Sequence, residues 1–342
     1  MSTKLSHQEL RRLLRVTLGS ALGFTIAKLM NWPYGLFFTV YPMLLLGLVP
    51  VFNRLVAFQM LAAAAVNLVE VWLLYALFQH HPLPMTLGVF ALYCWRFRLM
   101  ASTPYFVFGA IGLVTLSTLL HFSSYPDTSP IDMITSVSLA SLLSVISAAL
   151  LYWLIPETEP VALPPRQALS GAEINHRMLM GAGIGTLSFI VFQVLDLRDS
   201  LSAQVATVLV LFPMTYQGAM TASWKRLNGV VVGCALALGM QVLMYDLINH
   251  FLLVLAALVV CLLVTARLHF MERAGSGAGF GAMTTVGILF GQYLLPNKDM
   301  LYGGAYRITS VAVALLVLMM VSYLLDKTLN RFESTRNAPA AA

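Results

Sequence analysis

Polar positions are scarce along this chain and bunch at intervals, so the apolar runs between them define its elements. A helix that crosses a bilayer needs ~20 apolar residues, with a range of ~17 to 25. The first half of the chain predicts such spans over residues 13–30, 34–49, 55–78, 83–95, 103–120 and 133–155. The second half predicts them over 178–195, 201–216, 227–247, 251–266, 276–295 and 308–325. The run from residue 83 is the weakest, and ten spans with re-entrant segments is the alternative parse. Either way the fold class is all-α, a polytopic membrane protein.

Between the two sets, residues 156–177 read PETEPVALPPRQALSGAEINHR, the longest stretch without a membrane-grade apolar run. The flanking sequences repeat one another. Tyr41-Pro42-Met43 is answered by Phe212-Pro213-Met214, Phe108-Gly109-Ala110 by Phe280-Gly281-Ala282, and Ile134-Thr135-Ser136-Val137 by Ile308-Thr309-Ser310-Val311. The offsets are 171, 172 and 174, in the same order, which argues for a duplicated unit. The expected organisation is a six-helix membrane repeat over 1–155, a cytoplasmic linker over 156–177, a second six-helix repeat over 178–331 and a disordered cytoplasmic tail over 332–342. An even number of spans per repeat gives both halves one orientation, related by a parallel pseudo-twofold along the membrane normal.

Composition agrees with the pattern. Charged residues are 10% of the chain against roughly 25% in soluble domains, apolar residues are 59% and the mean hydropathy is +0.82. The first apolar run has no small-residue cleavage site behind it, so the first helix is expected to be its own insertion signal. Cys94, Cys234 and Cys261 have no paired spacing and read as packing residues. With an inside amino terminus, 16 of the 20 Lys and Arg fall on the cytoplasmic side. Arg96, Arg98, Lys225 and Arg226 are among these, whereas Lys28, Arg198, Lys298 and Arg307 fall outside. Outer loops carry Asp127, Asp132, Asp196, Asp199, Asp246 and Asp299. Both termini and the linker are therefore expected in the cytoplasm. The net charge of +6 is explained by topology and contact with anionic lipids, with no call for nucleic acid.

No Ser-His-Asp, Walker or HExxH pattern is present and the histidines have no ligand spacing, so no enzyme activity, metal or cofactor is expected. Gly181-Ala182-Gly183-Ile184-Gly185 lies inside an apolar run and reads as close helix packing, as do Gly229, Gly233 and Ala237. The glycines of residues 276–282, followed by Thr284 and Thr285, allow two readings: close packing, or a broken helix that aims N–H groups at an anion. Pro42 and Pro213 hold matching positions in the second span of each repeat and predict paired kinks, with Thr215 and Gln217 forming a polar cluster after Pro213.

The sharpest candidates are Lys28 and Glu70, ionisable residues within predicted spans. At ~1.5 Å per residue they lie roughly 20 and 24 Å from the cytoplasmic side. Glu70 shares a helix face with Gln59, Ala63 and Asn67. Aligned repeats place Gln193 opposite Lys28 and Gln241 opposite Glu70. The joint loss of both charges predicts that Lys28 and Glu70 pair, Glu70 serving as a proton-coupling carboxylate.

With an arginine-rich opening of the first helix (Arg11, Arg12, Arg15), compact tandem six-helix halves and the Tyr41-Pro42-Met43 and Phe212-Pro213-Met214 elements, the chain resembles the fusaric acid resistance superfamily of inner-membrane proteins. The resemblance implies export of small organic anions or aromatic, amphipathic compounds, together with a periplasmic membrane fusion adaptor of the HlyD type. It places the protein in the bacterial inner membrane and is compatible with a homo-oligomer. A passive anion channel and a non-transporting scaffold are the alternatives. Larger exporters of the superfamily carry a substantial cytoplasmic domain where this chain has only the linker.

Overall fold

The computed structural model describes residues 5–123, 129–159, 169–197, 200–244, 250–273, 275–293 and 300–337. Among the described residues there are twelve α-helices and no strand. They are α1 (His7–Leu29), α2 (Gly35–Met43), α3 (Arg54–Phe78), α4 (Pro82–Ser102), α5 (Phe106–Ser123), α6 (Pro130–Leu154), α7 (Gly171–Val194), α8 (Leu201–Val210), α9 (Tyr216–Leu243), α10 (Phe251–Glu272), α11 (Ala278–Tyr293) and α12 (Met300–Leu329). Seven are long and apolar enough to cross a membrane: α3, α5, α6, α7, α9, α10 and α12. α2, α8 and α11 are shorter apolar helices. The chain is an all-α, multi-pass membrane protein. Much of the linker and tail, and the loop charges Lys4, Asp127, Arg166, Arg198, Asp199, Asp246, Lys298 and Asp299, lie outside the described residues.

α1 and α7 are built alike at both ends. Each opens with a capping box, Ser6 with Glu9 and Ser170 with Glu173, in which the serine hydroxyl accepts a backbone N–H and the glutamate accepts the serine's own. Each closes on a left-handed residue, Asn31 and Asp196, whose N–H donates to the carbonyl of Lys28 and of Gln193 respectively. Lys28 and Gln193 are the residues that the aligned repeats place opposite each other.

The paired kinks are not paired in the structure. Pro42 lies inside α2, buried, and a π-helical turn (Leu44–Leu48) follows it. The carbonyl four residues before it, that of Phe38, lacks the N–H that proline cannot supply and lies against Gly23 of α1, where any Cβ would overlap it. Pro213, expected inside a helix, instead occupies the turn between α8 and α9, exposed, next to Met214 at φ 52°. α8 stops at Val210, before the proline could cost it a hydrogen bond.

Three arginines expected in loops are inside helices and buried: Arg96 in α4, Arg226 in α9 and Arg307 in α12. The helices continue well past the predicted spans, because a span drawn on apolar runs stops at the first cation even where the helix does not.

Two compact units divide the chain, and they are not its two halves in order. The first comprises Met1–Leu61, Ile131–Leu163 and Trp224–Val311; the second comprises Ala62–Pro130, Pro164–Ser223 and Ala312–Ala342. In the first, α1 packs on α2 and α10, and α11 packs on the same two. In the second, α7 packs on α8 and α4, and α5 packs on the same two. Adding six to each helix of the first half, and subtracting six from each of the second, converts one ring of four into the other. Glycines set these packings. Gly181 and Gly185 of α7 lie under the Phe97 and Tyr93 rings of α4, and Gly229 of α9 lies against the Ala278 carbonyl. The close-packing reading of these glycines therefore holds.

Candidate functional site

In the second unit, the period of α3 puts Asn67 and Glu70 on one face, three residues apart. α4 brings Arg96 against them. Its Nη2 donates to Asn67 Oδ1 at 2.7 Å and to Glu70 Oε2 at 2.8 Å, and its Nη1 reaches the Phe108 carbonyl at 3.4 Å. Asn67 in turn donates to the Gly112 carbonyl at 3.1 Å. The guanidinium lies over the Phe108 ring, 4.2 Å from its centroid, and beside Trp95 at 4.7 Å. Arg96 and Asn67 are fully buried and Glu70 is 8% exposed. Gly112 makes the space, since a Cβ there would stand 2.6 Å from Arg96 Nη1.

One Glu70 oxygen is held by Arg96, while Oε1 is buried with no hydrogen-bond partner. The carboxylate is thus half committed, which leaves a position for a proton or a donor. A buried pair of this kind is held by balance: removal of either charge strands the other.

A polar row continues from the pair. Tyr93, one turn before Arg96, is buried with its hydroxyl lacking a hydrogen-bond partner. Ser117 of α5 accepts from Gln204 Nε2 of α8 at 3.0 Å, and Ser188 of α7 donates to Gln204 Oε1 at 3.0 Å. His121, one turn beyond Ser117, is buried with its ring edge-on to Phe192 at 5.6 Å. A cavity of about 650 Å³ opens where α3, α5 and α7 end and α4 begins. Tyr75, Phe78, Thr86, Ser123, Phe189 and Gln193 line it. This is the size and mixed lining of a small-molecule site. The Gln193 Nε2 is buried without a hydrogen-bond partner.

Of the predicted residues, Asn67, Glu70 and Gln193 are therefore in this unit's polar core and cavity. The partner of Glu70 is Arg96 rather than the expected Lys28, which is half-buried in the first unit with its Nζ 5.9 Å from the Phe24 ring. Thr215 caps α9 by accepting the Gly218 N–H at 3.2 Å, and Gln217 is exposed on the same turn. Gln241 is half-buried near the end of α9. Thr284 and Thr285 are buried, with hydroxyls donated back to the Phe280 and Gly281 carbonyls of their own helix. The N–H groups at the start of α11, read as a possible anion cradle, are met by a carboxylate of the chain itself: Gly279 N–H donates to Glu272 Oε2 at 2.7 Å.

Sequence reasoning missed Arg96. Next to Arg98 it had the look of a cytoplasmic flank, and the signal that could have found it was the need of Glu70 for a buried cation.

Residues 12–151 match a family of proteins of unknown function (DUF2955), and residues 187–321 match the family described as fusaric acid resistance protein-like. The chain carries a fusaric acid resistance-like domain. No curated protein and no solved structure matches the chain. Ser188, Gln193 and Gln204 fall in the fusaric acid resistance-like domain, whereas Asn67, Glu70, Arg96 and Ser117 fall in the other matched region. The polar row of the second unit thus takes side chains from both. The fusaric acid resistance-like domain and this profile of apolar helices together support a membrane transport-related protein.

Proposed function

We propose that this protein exports small organic anions or aromatic, amphipathic compounds, with Glu70 as the carboxylate that couples export to the proton potential. The observation that carries the reading is the buried Arg96–Glu70 pair with one carboxylate oxygen uncommitted, in the same unit as the 650 Å³ cavity. Export in exchange for protons requires the two to be carried alternately: the anion leaves on Arg96 with Glu70 ionised, and the empty site returns with Glu70 protonated, so both steps act through one guanidinium. Aromatic rings and the unpartnered Gln193 amide nitrogen in the cavity suit a flat acid better than a sugar. By this reading the protein lies in the bacterial inner membrane with both termini and the linker in the cytoplasm, and works with a periplasmic membrane fusion adaptor. Export of benzoate and fusaric acid from loaded cells tests it. Wild-type export should stop when the proton potential is dissipated, and Glu70→Gln at equal abundance should export poorly and lose that sensitivity. Normal, proton-dependent export by Glu70→Gln would remove Glu70 from the mechanism.

A further inference from the structure

Within the second unit, the segment that follows α12 folds back on the start of α7. α12 ends at Leu329, and the last carbonyls of a helix need donors from elsewhere. Thr335 supplies one, its hydroxyl donating to the Leu329 carbonyl at 2.7 Å, and the Asn337 N–H closes the strap on Asn330 Oδ1 at 2.9 Å. A single 3-10 turn (Glu333–Thr335) forms its middle. α7 meets that turn with two side chains. Asn175 Nδ2 donates to the Ser334 carbonyl at 3.3 Å, and His176 Nδ1 lies 2.8 Å from the Thr335 carbonyl. The other ring nitrogen, Nε2, lies 3.1 Å from Asp326 Oδ1 of α12, while Asp326 Oδ2 accepts from Asn330 Nδ2 at 3.2 Å. His176 is fully buried.

Both nitrogens of this imidazole therefore face oxygen atoms that accept hydrogen bonds. A neutral imidazole has one N–H and one lone pair, so it serves only one of them and sets a lone pair against the other in a buried site. The doubly protonated ring serves both. A proton on Asp326 that donates to Nε2 gives the same count, so the cluster holds one proton more than a neutral imidazole and a carboxylate supply. Asp326 is the acid that faces the ring. Glu173, one turn back on α7, is bound to Ser170, and Arg177, next on α7, is half-buried and acts on Glu173. Glu333 and Arg336 of the strap, Lys327 of α12 and Arg98 of α4 are exposed, and Arg96 is held by Glu70. α5 brings His121, which sits against Phe192 at the other end of α7, and α8 has no titratable side chain.

We infer that His176 is a proton-binding site that controls the docking of residues 333–337: with the extra proton bound the strap is held on α7, and with it lost the strap is released. The site does not depend on the export reading. Docking ties α12 to α7, and α4, which carries Arg96, rests on Gly181 and Gly185 of the same α7.

The test is hydrogen exchange of the purified full-length protein in a neutral detergent, read at the Thr335 and Asn337 amides, whose N–H groups are bonded within the strap. Protection is expressed relative to a free peptide of residues 326–337 at the same pH, which removes the pH dependence of exchange itself. In wild type, protection should fall roughly tenfold or more between about pH 5.5 and about pH 8.5, since one buried acceptor loses its donor. His176→Gln should be poorly protected at both. Asp326→Asn should keep the strap docked at both, because its amide N–H can donate to Nε2 of a neutral ring whose Nδ1–H still serves Thr335. Wild-type protection that is unchanged, or that rises toward alkaline pH, overturns the inference whether or not the variants fold. A fall of the wild-type size in His176→Gln or in Asp326→Asn places the titrating group elsewhere and also overturns it.

Discussion

Arg96 carries opposite consequences depending on what else is changed. Arg96→Gln leaves Glu70 buried beside Asn67 with no cation, and breaking a buried pair from one side costs on the order of 3–5 kcal/mol. Combining it with Glu70→Gln removes the stranded charge. We predict that the single variant unfolds at a clearly lower temperature in detergent and that the double variant regains most of the loss while remaining unable to couple export to protons. A double variant as unstable as Arg96→Gln would mean that the guanidinium acts through packing on Phe108 and Trp95 instead. At Glu157 the balance is set by pH. Burial pushes its carboxyl up, but Gln8, Arg15 and Arg12 together outweigh burial and hold it below the usual 4.5. A folded value below the unfolded one adds stability above pH ~4.5 that is lost as pH falls through the folded value. Wild type should therefore be more stable than Glu157→Gln at pH 7, and the difference should shrink steadily below pH 4.5; a constant difference would show that the carboxylate's charge is not what matters.

Helix packing follows small residues that no charge marks. Gly112 of α5 exists to admit the Arg96 guanidinium, so Gly112→Ala should displace it and impair export with the protein still inserted. Gly239 of α9 has nothing within 4 Å, so Gly239→Ala should be neutral or raise stability by up to about 1 kcal/mol through helix propensity. Equal export by Gly112→Ala and wild type would contradict the role given to this glycine. Much of this level was readable beforehand. Apolar runs gave twelve helices, the glycine runs of α7 and α9 are packing faces, and Asn67 and Glu70 share a face. What was not readable has a common cause. Arg96, Arg226 and Arg307 were assigned to loops because a cation beside an apolar run is most often a flank, and only three-dimensional packing tells a buried guanidinium from a solvated one. Pro213 aligned with Pro42, yet local turn geometry at Met214 ended α8 first.

At the scale of the molecule, each compact unit is built from both halves of the chain. Each unit has a like ring of four helices, α1 and α7 have matched ends, and each repeated phenylalanine meets a buried side chain: Arg96 on Phe108 and His269 on Phe280. Because α4 packs on α7 and α1 on α10 across the linker, neither half should be stable alone. Expressed separately, residues 1–159 and 169–342 should each be degraded, and co-expressed they should purify together. Stable accumulation of one half by itself would mean that the units do not need both. The central claim, that Glu70 held by Arg96 couples proton and anion movement, is tested most directly in proteoliposomes that contain only this protein. Under an imposed pH gradient, wild type should concentrate labelled benzoate or fusaric acid above its equilibrium level, with Glu70→Gln doing no more than let it equilibrate. Concentration of the label by Glu70→Gln to the wild-type level would contradict the account.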